Sequence, residues 1–597
     1  MQRAFDHKHI KPTLILLVAL FGTSTIYYRQ NLAWIDTASR QFVAFPDPQY
    51  PDDSVILEPD GITTGIPVVP HNYRSDGVLE VSSSASHPIH DLIAQAENKW
   101  HSKQNIASRN IQQAFYEYRR RYGRFPPKGF DKWWEYVEQH NVQLPDDYDQ
   151  IWHDIEPFWG LDPADLQRVQ SEQEGHSESY TIGKGVGEPI KIVNQSLSKP
   201  ELMRASEGIL SLLKPIEEHL PPFRAVMSPL DNPYAFFDYD VKQAALRAAR
   251  SKKRLKMQDL PPTTVRGWLS ACPEHRSHPA APSKSGFTGR TFIHDHRKTM
   301  DPCFHPKILE THSQFLAFGD FPPTPDRPMI PQFSFCSSTL HYDIRIPSLL
   351  SWVQDIHPQE HNPEWDRRSD ERLSWRGSNT GMWQTAENRW KESQRPRAVK
   401  FASDTEGEVK VLFPPTKRDD PVGEGRNVSR SKINPAFFDV AFAGSPLQCP
   451  EDYCKEIEYM FDWRKFQDAR GAANFKYVLD VDGNAWSSRF QRLMVSNALV
   501  FKASIYPEWF LDRIQPWVHY VPVQVDLSDL HDTLAFFRGD LYGEGSHHEL
   551  ARKMVENSRQ WAQKFWRKED MTAYAFRLML EYARVMSLDR ESMSFSI

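Results

Sequence analysis

The chain has 597 residues, too many for one hydrophobic core, and reads as about two globular domains with additions. Its 72 basic and 78 acidic side chains leave a formal charge of −6, which excludes a general nucleic-acid role for want of a basic excess. A charged fraction of 25% with 12% aromatics excludes a disordered chain, and 45 prolines against 27 glycines imply stiff connections and an extended linker. The 18 tryptophans read as core and helix-packing anchors, with a minority free to stack on sugar C–H faces.

The first 11 residues carry Arg3, Lys8 and Lys11. Pro12 to Tyr28, PTLILLVALFGTSTIYY, is uncharged and closed by Arg29, the short end of a membrane span. A cleaved signal peptide has the same basic and apolar parts, but no small-x-small site follows cleanly. The expectation is an uncleaved type II signal-anchor with a cytosolic tail over residues 1–11, placing the body in the lumen of the ER or Golgi. Residues 29–90, rich in Pro, Ser and Asp without periodicity, read as a stem.

The folded part opens with a helical pattern from Leu92 to Tyr122, stopped by Gly123 and Pro126-Pro127. Its basic end, YEYRRRYGR, suits a solvated helix terminus. Two shorter helices follow, Phe130 to His140 and Asp147 to Phe158. Asn194-Gln-Ser and Asn427-Val-Ser are glycosylation sequons, meaningful if the body is luminal. In LPPFRAVMSPLDNPYAFFDYD, Asp231 follows a short apolar segment, where its ordinary role is to form a turn.

Leu373 to Gly381, LSWRGSNTG, brings Arg376, Gly377 and Ser378 together at the end of an apolar stretch. Glycine lets backbone amides approach a phosphate, and arginine offers a forked donor to its oxygens. Arg395 and Arg397 in SQRPRAVKFA are lesser candidates for the same task. Among five cysteines, Cys449 and Cys454 are close enough to close a small loop in an oxidising compartment; Cys272 and Cys303 are one candidate second pair, and the pairing among Cys272, Cys303 and Cys336 is left open by the sequence. No C-x-x-C knuckle is present, so no metal site is expected from the cysteines.

Phe475 to Val481 reads as a buried strand that breaks at Asp482-Gly483-Asn484. A helix is expected near Ser487, with Ser488 and Gln491 in a capping box and Arg489 in the first turn. A cation there is unfavourable unless an anion visits, so Arg489 marks an anion site. Strands at Ala498 to Ala503 and Trp517 to Val525 alternate with helical starts at Pro507-Glu508-Trp509 and Ser528, the spacing of a parallel nucleotide-binding sheet. Asp480-Val-Asp482 has the spacing of a metal-diphosphate pair, but such strings are common by chance. From about His547 onward, Trp561, Phe565, Trp566, Phe576, Leu578, Leu580 and Tyr582 recur at helical spacing as packing residues.

Together, RRYGRFPPKGFDKWWEY, LSWRGSNTG and KYVLDVDGNAWSSRFQRLMVSNALVFKASIYPEWF…PWVHYVPV closely resemble the capsule-associated-protein glycosyltransferases, family 90, from roughly Tyr116 to Phe537. The animal protein O-glucosyltransferases belong to that family, and the Phe-Pro-Pro-x-Gly-Phe-Asp-x-Trp-Trp segment is similar to its fungal branch. The resemblance implies an α/β fold of GT-B type, with two Rossmann-like domains facing a cleft. Residues 91–330 would form the acceptor domain, 331–540 the nucleotide-sugar domain and 541–597 terminal helices, behind the transmembrane helix at 12–28. It implies an inverting transfer, xylose foremost and glucose second, from a UDP-sugar to a glycan or glycoprotein hydroxyl. Carried over by motif, Asp231 would be the general base. Arg376, Gly377, Ser378, Asp482, Gly483, Ser487, Ser488 and Arg489 would hold the UDP-sugar. No cofactor is implied, and Asp480 with Asp482 departs from the animal members, which argues against an obligatory metal. The competing reading is a non-catalytic carbohydrate-binding or scaffold protein on the same fold.

Overall fold

The computed structural model describes residues 68–597 apart from 177, 198–202, 234, 264–265, 274–286, 319–322, 326–327, 351 and 353–361. In chain order its strands begin with β1 (Asn72–Tyr73), β2 (Val78–Ser82), β3 (Ser179–Lys184), β4 (Lys191–Ser196), β5 (Phe223–Met227), β6 (Phe287–Ile293), β7 (Gln332–Ser334) and β8 (Ile344–Arg345). They continue with β9 (Asp370–Gly377), β10 (Glu408–Val411), β11 (Arg426–Ser429), β12 (Phe438–Ala443), β13 (Trp463–Arg464), β14 (Phe475–Val481), β15 (Leu499–Ala503) and β16 (Val521–Pro522).

The apolar runs at Phe438–Ala443 and Phe475–Val481 are buried on both faces, as strands in the middle of a parallel sheet must be. They belong to a six-stranded sheet of order β13-β12-β9-β14-β15-β16. Every pairing in it is parallel. The chain lays down β9, moves outward through β12 to β13, then returns to the other side of β9 for β14 and runs outward again. That reversal opens a crevice at the carboxyl ends of β9 and β14, where open parallel sheets take their ligands.

The second large sheet is different. Its order is β4-β3-β5-β7-β8; β3 pairs antiparallel with β4 and β5, while β5, β7 and β8 run parallel. A three-stranded antiparallel sheet (β1-β2-β6) and a two-stranded one (β10-β11) complete the set. The architecture is therefore mixed α/β with several sheets, which corrects the expected pair of Rossmann-like domains behind a membrane helix. Residues 12–28, where that helix was placed, and the stem up to 67 lie outside the described residues. Among the described residues no helix is long and apolar enough to cross a membrane.

Helix boundaries show where side chains override the pattern. The expected run from Leu92 to Tyr122 is two helices, Ile89–Ile106 and Ile111–Tyr122. Asn110 caps the second by accepting from Gln113 N at 2.9 Å, and the Ser108 amide donates to the Asp146 carboxylate at 2.7 Å in the break. Gly123, at φ 63°, ends that second helix in the left-handed region. Helix Lys568–Met586 is buried all round rather than on one face, because Arg577, Glu581 and Arg584 pair with one another and with Tyr118. It packs against Phe130–Gln139, Asp149–Trp159, Pro163–Gln173 and Arg204–Leu213, so the end of the chain closes the core of the N-terminal half. Pro67–Ile597 form one compact unit.

Candidate functional site

The carboxyl end of β9 carries Arg376. Its guanidinium turns along the sheet to β12, where Nη2 donates to Asp439 Oδ1 and Nη1 to Asp439 O, both at 2.6 Å. Arg464 also donates to that carboxylate, and Arg372 lies 3.7 Å from it. Arg376 is therefore committed to an ion-pair cluster inside the sheet, though its carbonyl faces the crevice and accepts from Arg489 Nη1 at 3.1 Å.

Arg489 sits at the N-cap of the short helix Phe490–Met494. The expected capping box does not form: that helix has no side-chain cap. Gln491 donates instead to Trp566 O at 3.3 Å, and Ser487 Oγ is used by Asp480. Arg489 reaches back across the crevice, donating from Nη2 to Val481 O at 3.0 Å and lying 5.3 Å from the Trp375 ring centre. Arg395, in helix Gln394–Ser403, lies 5.8 Å from the same ring. It donates to Asp482 O at 3.0 Å, Ser378 O at 3.0 Å and Thr380 Oγ1 at 2.7 Å.

These two arginines differ from Arg368 and Arg590. Arg368 and Arg590 each use Nε, Nη1 and Nη2 on carbonyls or an amide. Among the described residues, neither Arg395 nor Arg489 forms an ion pair, and Arg395 Nη2 and Arg489 Nε donate no hydrogen bond. Burial, then the charge of Arg489, brings the Arg395 guanidinium down to about 9. Burial lowers Arg489 as well, against the pull of Asp480. Two partly dehydrated cations facing one indole are an unfinished arrangement that an anion completes. Two glycines make room for them: a Cβ on Gly377 would stand 2.9 Å from Arg489 Nη1, and one on Gly483 would stand 3.0 Å from Arg395 Nη2.

The carboxylates of β14 have inward duties. Asp480 accepts from Ser487 Oγ and pairs with Lys502 Nζ at 3.0 Å. Asp482 Oδ2 accepts from the Ile505 amide at 2.9 Å and lies 3.2 Å from His312 Nε2, while its Oδ1 is buried with no hydrogen-bond partner among the described residues. Burial pulls Lys502 down, but Asp480 and Glu508 outweigh it and hold the ammonium above its ordinary value. Glu508, expected in a helix start, lies in the irregular segment after β15 and is pushed by burial up to about 8. Among the described residues, no three His, Cys, Asp or Glu side chains converge to hold a metal ion.

Asp231 is exposed in the loop after β5 and accepts from Asn484 Nδ2 at 3.4 Å. Its neighbour Asn232 donates to Gln314 Oε1 at 2.8 Å and to Asn484 O. Asn484 Oδ1 in turn accepts from the Gly381 amide at 3.1 Å and Gln448 Nε2 at 3.0 Å. One asparagine at the tip of the β14 loop thus joins the Asp231 loop, the β9 loop and the cysteine loop. Ser487 and Ser488 line a cleft with Trp486, Glu508 and Trp509 beside this junction.

The remaining sites lie apart. Cys449–Cys454 and Cys272–Cys303 are disulfides, each with Cα atoms 5.4 Å apart, and Cys336 is free and buried. Cys454 stands within helix Glu451–Met460 rather than in a loop. Asn427 is exposed on β11, whereas Asn194 Nδ2 on β4 donates to Glu174 O at 2.8 Å.

Residues 319–594 match the family model of Glycosyl transferase family 90. This region is similar to the family 90 glycosyltransferases. The chain is 24% identical over 287 residues to Protein O-glucosyltransferase 1 of Rattus norvegicus, covering 45% of this chain and 61% of that protein. It is 33% identical over 112 residues to Protein O-glucosyltransferase 2 of Danio rerio, 19% of this chain and 21% of the relative. Over 121 residues it is 29% identical to the O-glucosyltransferase LpsA of Dichelobacter nodosus, 20% and 36% respectively. The chain thus spans about three-fifths of the length of Protein O-glucosyltransferase 1.

The matched region contains the six-stranded parallel sheet, β7 and β8 of the mixed sheet and helix Lys568–Met586. Arg376, Arg395, Arg489 and Glu508 all fall inside it, whereas Asp231 and Asn232 precede it and reach it through Asn484. The sequence pattern ranks Arg395 behind Arg376; the commitment of Arg376 to Asp439, 63 residues away in the chain, is one that no local motif reveals.

Proposed function

We propose that the chain is an inverting glycosyltransferase that moves a sugar from a UDP-sugar to a hydroxyl of a glycan or glycoprotein. The observation that carries this reading is the pair of arginines, Arg395 and Arg489, without ion-pair partners among the described residues, at the carboxyl ends of β9 and β14. As UDP leaves, negative charge grows on the diphosphate; cations fixed beforehand in a partly dry crevice stabilise that charge without reorganising. In this reading Gly377, Ser378 and Gly483 let the diphosphate approach the backbone, and Ser487 and Ser488 lie on the sugar side. Arg376 and Asp482 act one step back, Arg376 through its carbonyl on Arg489 and Asp482 by fixing the loop.

Asp231 is the proposed base. A carboxylate within hydrogen-bond reach of an acceptor hydroxyl removes its proton as that oxygen attacks the anomeric carbon from the face opposite UDP. Its exposure suits an acceptor that arrives from solvent, and Asn484 holds it beside the nucleotide loop. A divalent ion is not part of the proposed step, and activity in excess chelator is the expected result. The expected xylose and the glucose in the relatives' names differ by one hydroxymethyl group; those names put glucose first as the donor to try. Two disulfides support an oxidising compartment of the secretory pathway, ER or Golgi.

The test is incubation of the chain with UDP-glucose or UDP-xylose and glycan acceptors. UDP release with a glycosylated product is expected. Folded protein that gives neither contradicts the enzyme and leaves the carbohydrate-binding reading.

A further inference from the structure

We propose that Glu508 is the residue that reads a hydroxyl of the transferred sugar, as a carboxyl set in the wall of the cleft beside the arginine pair. The inference rests on the glycosyltransferase reading above and deepens it.

The cleft has the make-up of a carbohydrate site: Trp486 and Trp509 supply aromatic faces, Ser487 and Ser488 supply hydroxyls, and Glu508 the only carboxyl among the residues lining it. Ser487 and Ser488 immediately precede Arg489, so a diphosphate on Arg489 leaves its sugar next to this wall. Within the wall the polar groups are unequally engaged. Ser487 Oγ already donates to Asp480. Glu508 stands out: its side chain is 9% exposed, and Oε1 is buried with no hydrogen-bond partner among the described residues. No other lining side chain carries such an atom.

Lys502 satisfies it only in part. The ammonium lies 3.6 Å from Glu508 Oε1 but 3.0 Å from Asp480 Oδ2, so its charge is matched by Asp480 first. Glu508 is left as a second acid beside one cation, and burial moves it up to about 8. At neutral pH it is therefore mostly a neutral acid, with one O–H to donate and oxygens to accept. A sugar hydroxyl needs both roles, and a buried unpaired oxygen penalises any occupant that lacks them. Arg489 and Arg395 thus recognise the nucleotide, and Glu508 recognises what the nucleotide carries.

The discriminating measurement is calorimetric titration of the full chain and its variants with UDP, UDP-glucose and UDP-xylose. E508A is expected to weaken binding of the sugar nucleotides by about tenfold to a hundredfold, while UDP alone changes by less than about twofold. E508Q keeps the shape and both hydrogen-bond roles and is expected to stay within about threefold of the parent chain. E508L fills the same volume without polar atoms and replaces E508A should that variant not fold. An E508A or E508L chain that binds sugar nucleotides as the parent does overturns the proposal, as does an equal loss for UDP and UDP-sugars. A parent chain that binds neither UDP nor a UDP-sugar overturns the glycosyltransferase reading, and this proposal with it.

Discussion

The two large sheets of this protein divide the labour by strand direction. In the six-stranded sheet all carboxyl ends point the same way, so the loops after β9 and β14 arrive at one crevice with Gly377, Ser378, Gly483 and Arg489. In the five-stranded sheet, β3 runs against both of its neighbours, and the β3–β4 edge offers no such convergence. Only its parallel part resembles the other sheet, and there the loop after β5 delivers Asp231. Parallel strands gather loops at one edge, whereas antiparallel strands disperse them to both. The residues proposed to face the ligand follow the parallel strands.

That division can be broken most sharply at Asp231. Asp231→Asn is expected to lower the transfer rate by about a thousandfold, in the range of a lost general base, with UDP affinity nearly unchanged. A variant that still transfers at the parent rate would remove the mixed sheet from the chemistry. Arg376 sharpens the contrast inside the parallel sheet. Because its fork holds Asp439 in a partly buried cluster, Arg376→Ala is expected to cost about 3 kcal/mol of unfolding free energy. Denaturant titration checks it; unchanged stability with lost UDP binding would return Arg376 to the nucleotide.

A pH-dependent effect concerns Asp529, beyond β16, whose carboxylate accepts from the Gln524 amide at 3.1 Å. Burial pushes its carboxyl up to about 8, so the folded chain keeps a proton that the unfolded chain releases near 4. Stability from this group therefore falls as pH rises from about 4 to about 8, by at most about 1.4 kcal/mol per pH unit. Asp529→Asn is expected to flatten that slope, read from unfolding curves across the window.

β14 and β15 were legible because each is a largely apolar run, whereas β9 and β13 carry too many charged residues to show that pattern. Phe475 to Val481 is a strand over the very residues the pattern marks, and Arg489 stood out as a cation misplaced at a helix start. The failures have physical causes. Ser488 and Gln491 have capping-box spacing, but Asp480 takes Ser487 and the backbone of Trp566 takes Gln491, so the helix starts later. Arg577, Glu581 and Arg584 are charged, yet they are buried, because Glu581 pairs with both arginines inside the core. The pairing of Arg376 was hidden because its partner Asp439 belongs to a neighbouring strand. Arg395 looked ordinary because only folding brings its helix against Trp375.

The central claim is that a nucleotide diphosphate binds at Arg395 and Arg489. Calorimetric titration of UDP into the parent chain, Arg395→Ala and Arg489→Ala tests it most directly. Each variant, folded by its melting profile, is expected to bind UDP about a hundredfold more weakly, as loss of a charge-assisted contact in a dehydrated site requires. UDP binding that survives both substitutions unchanged would contradict the account.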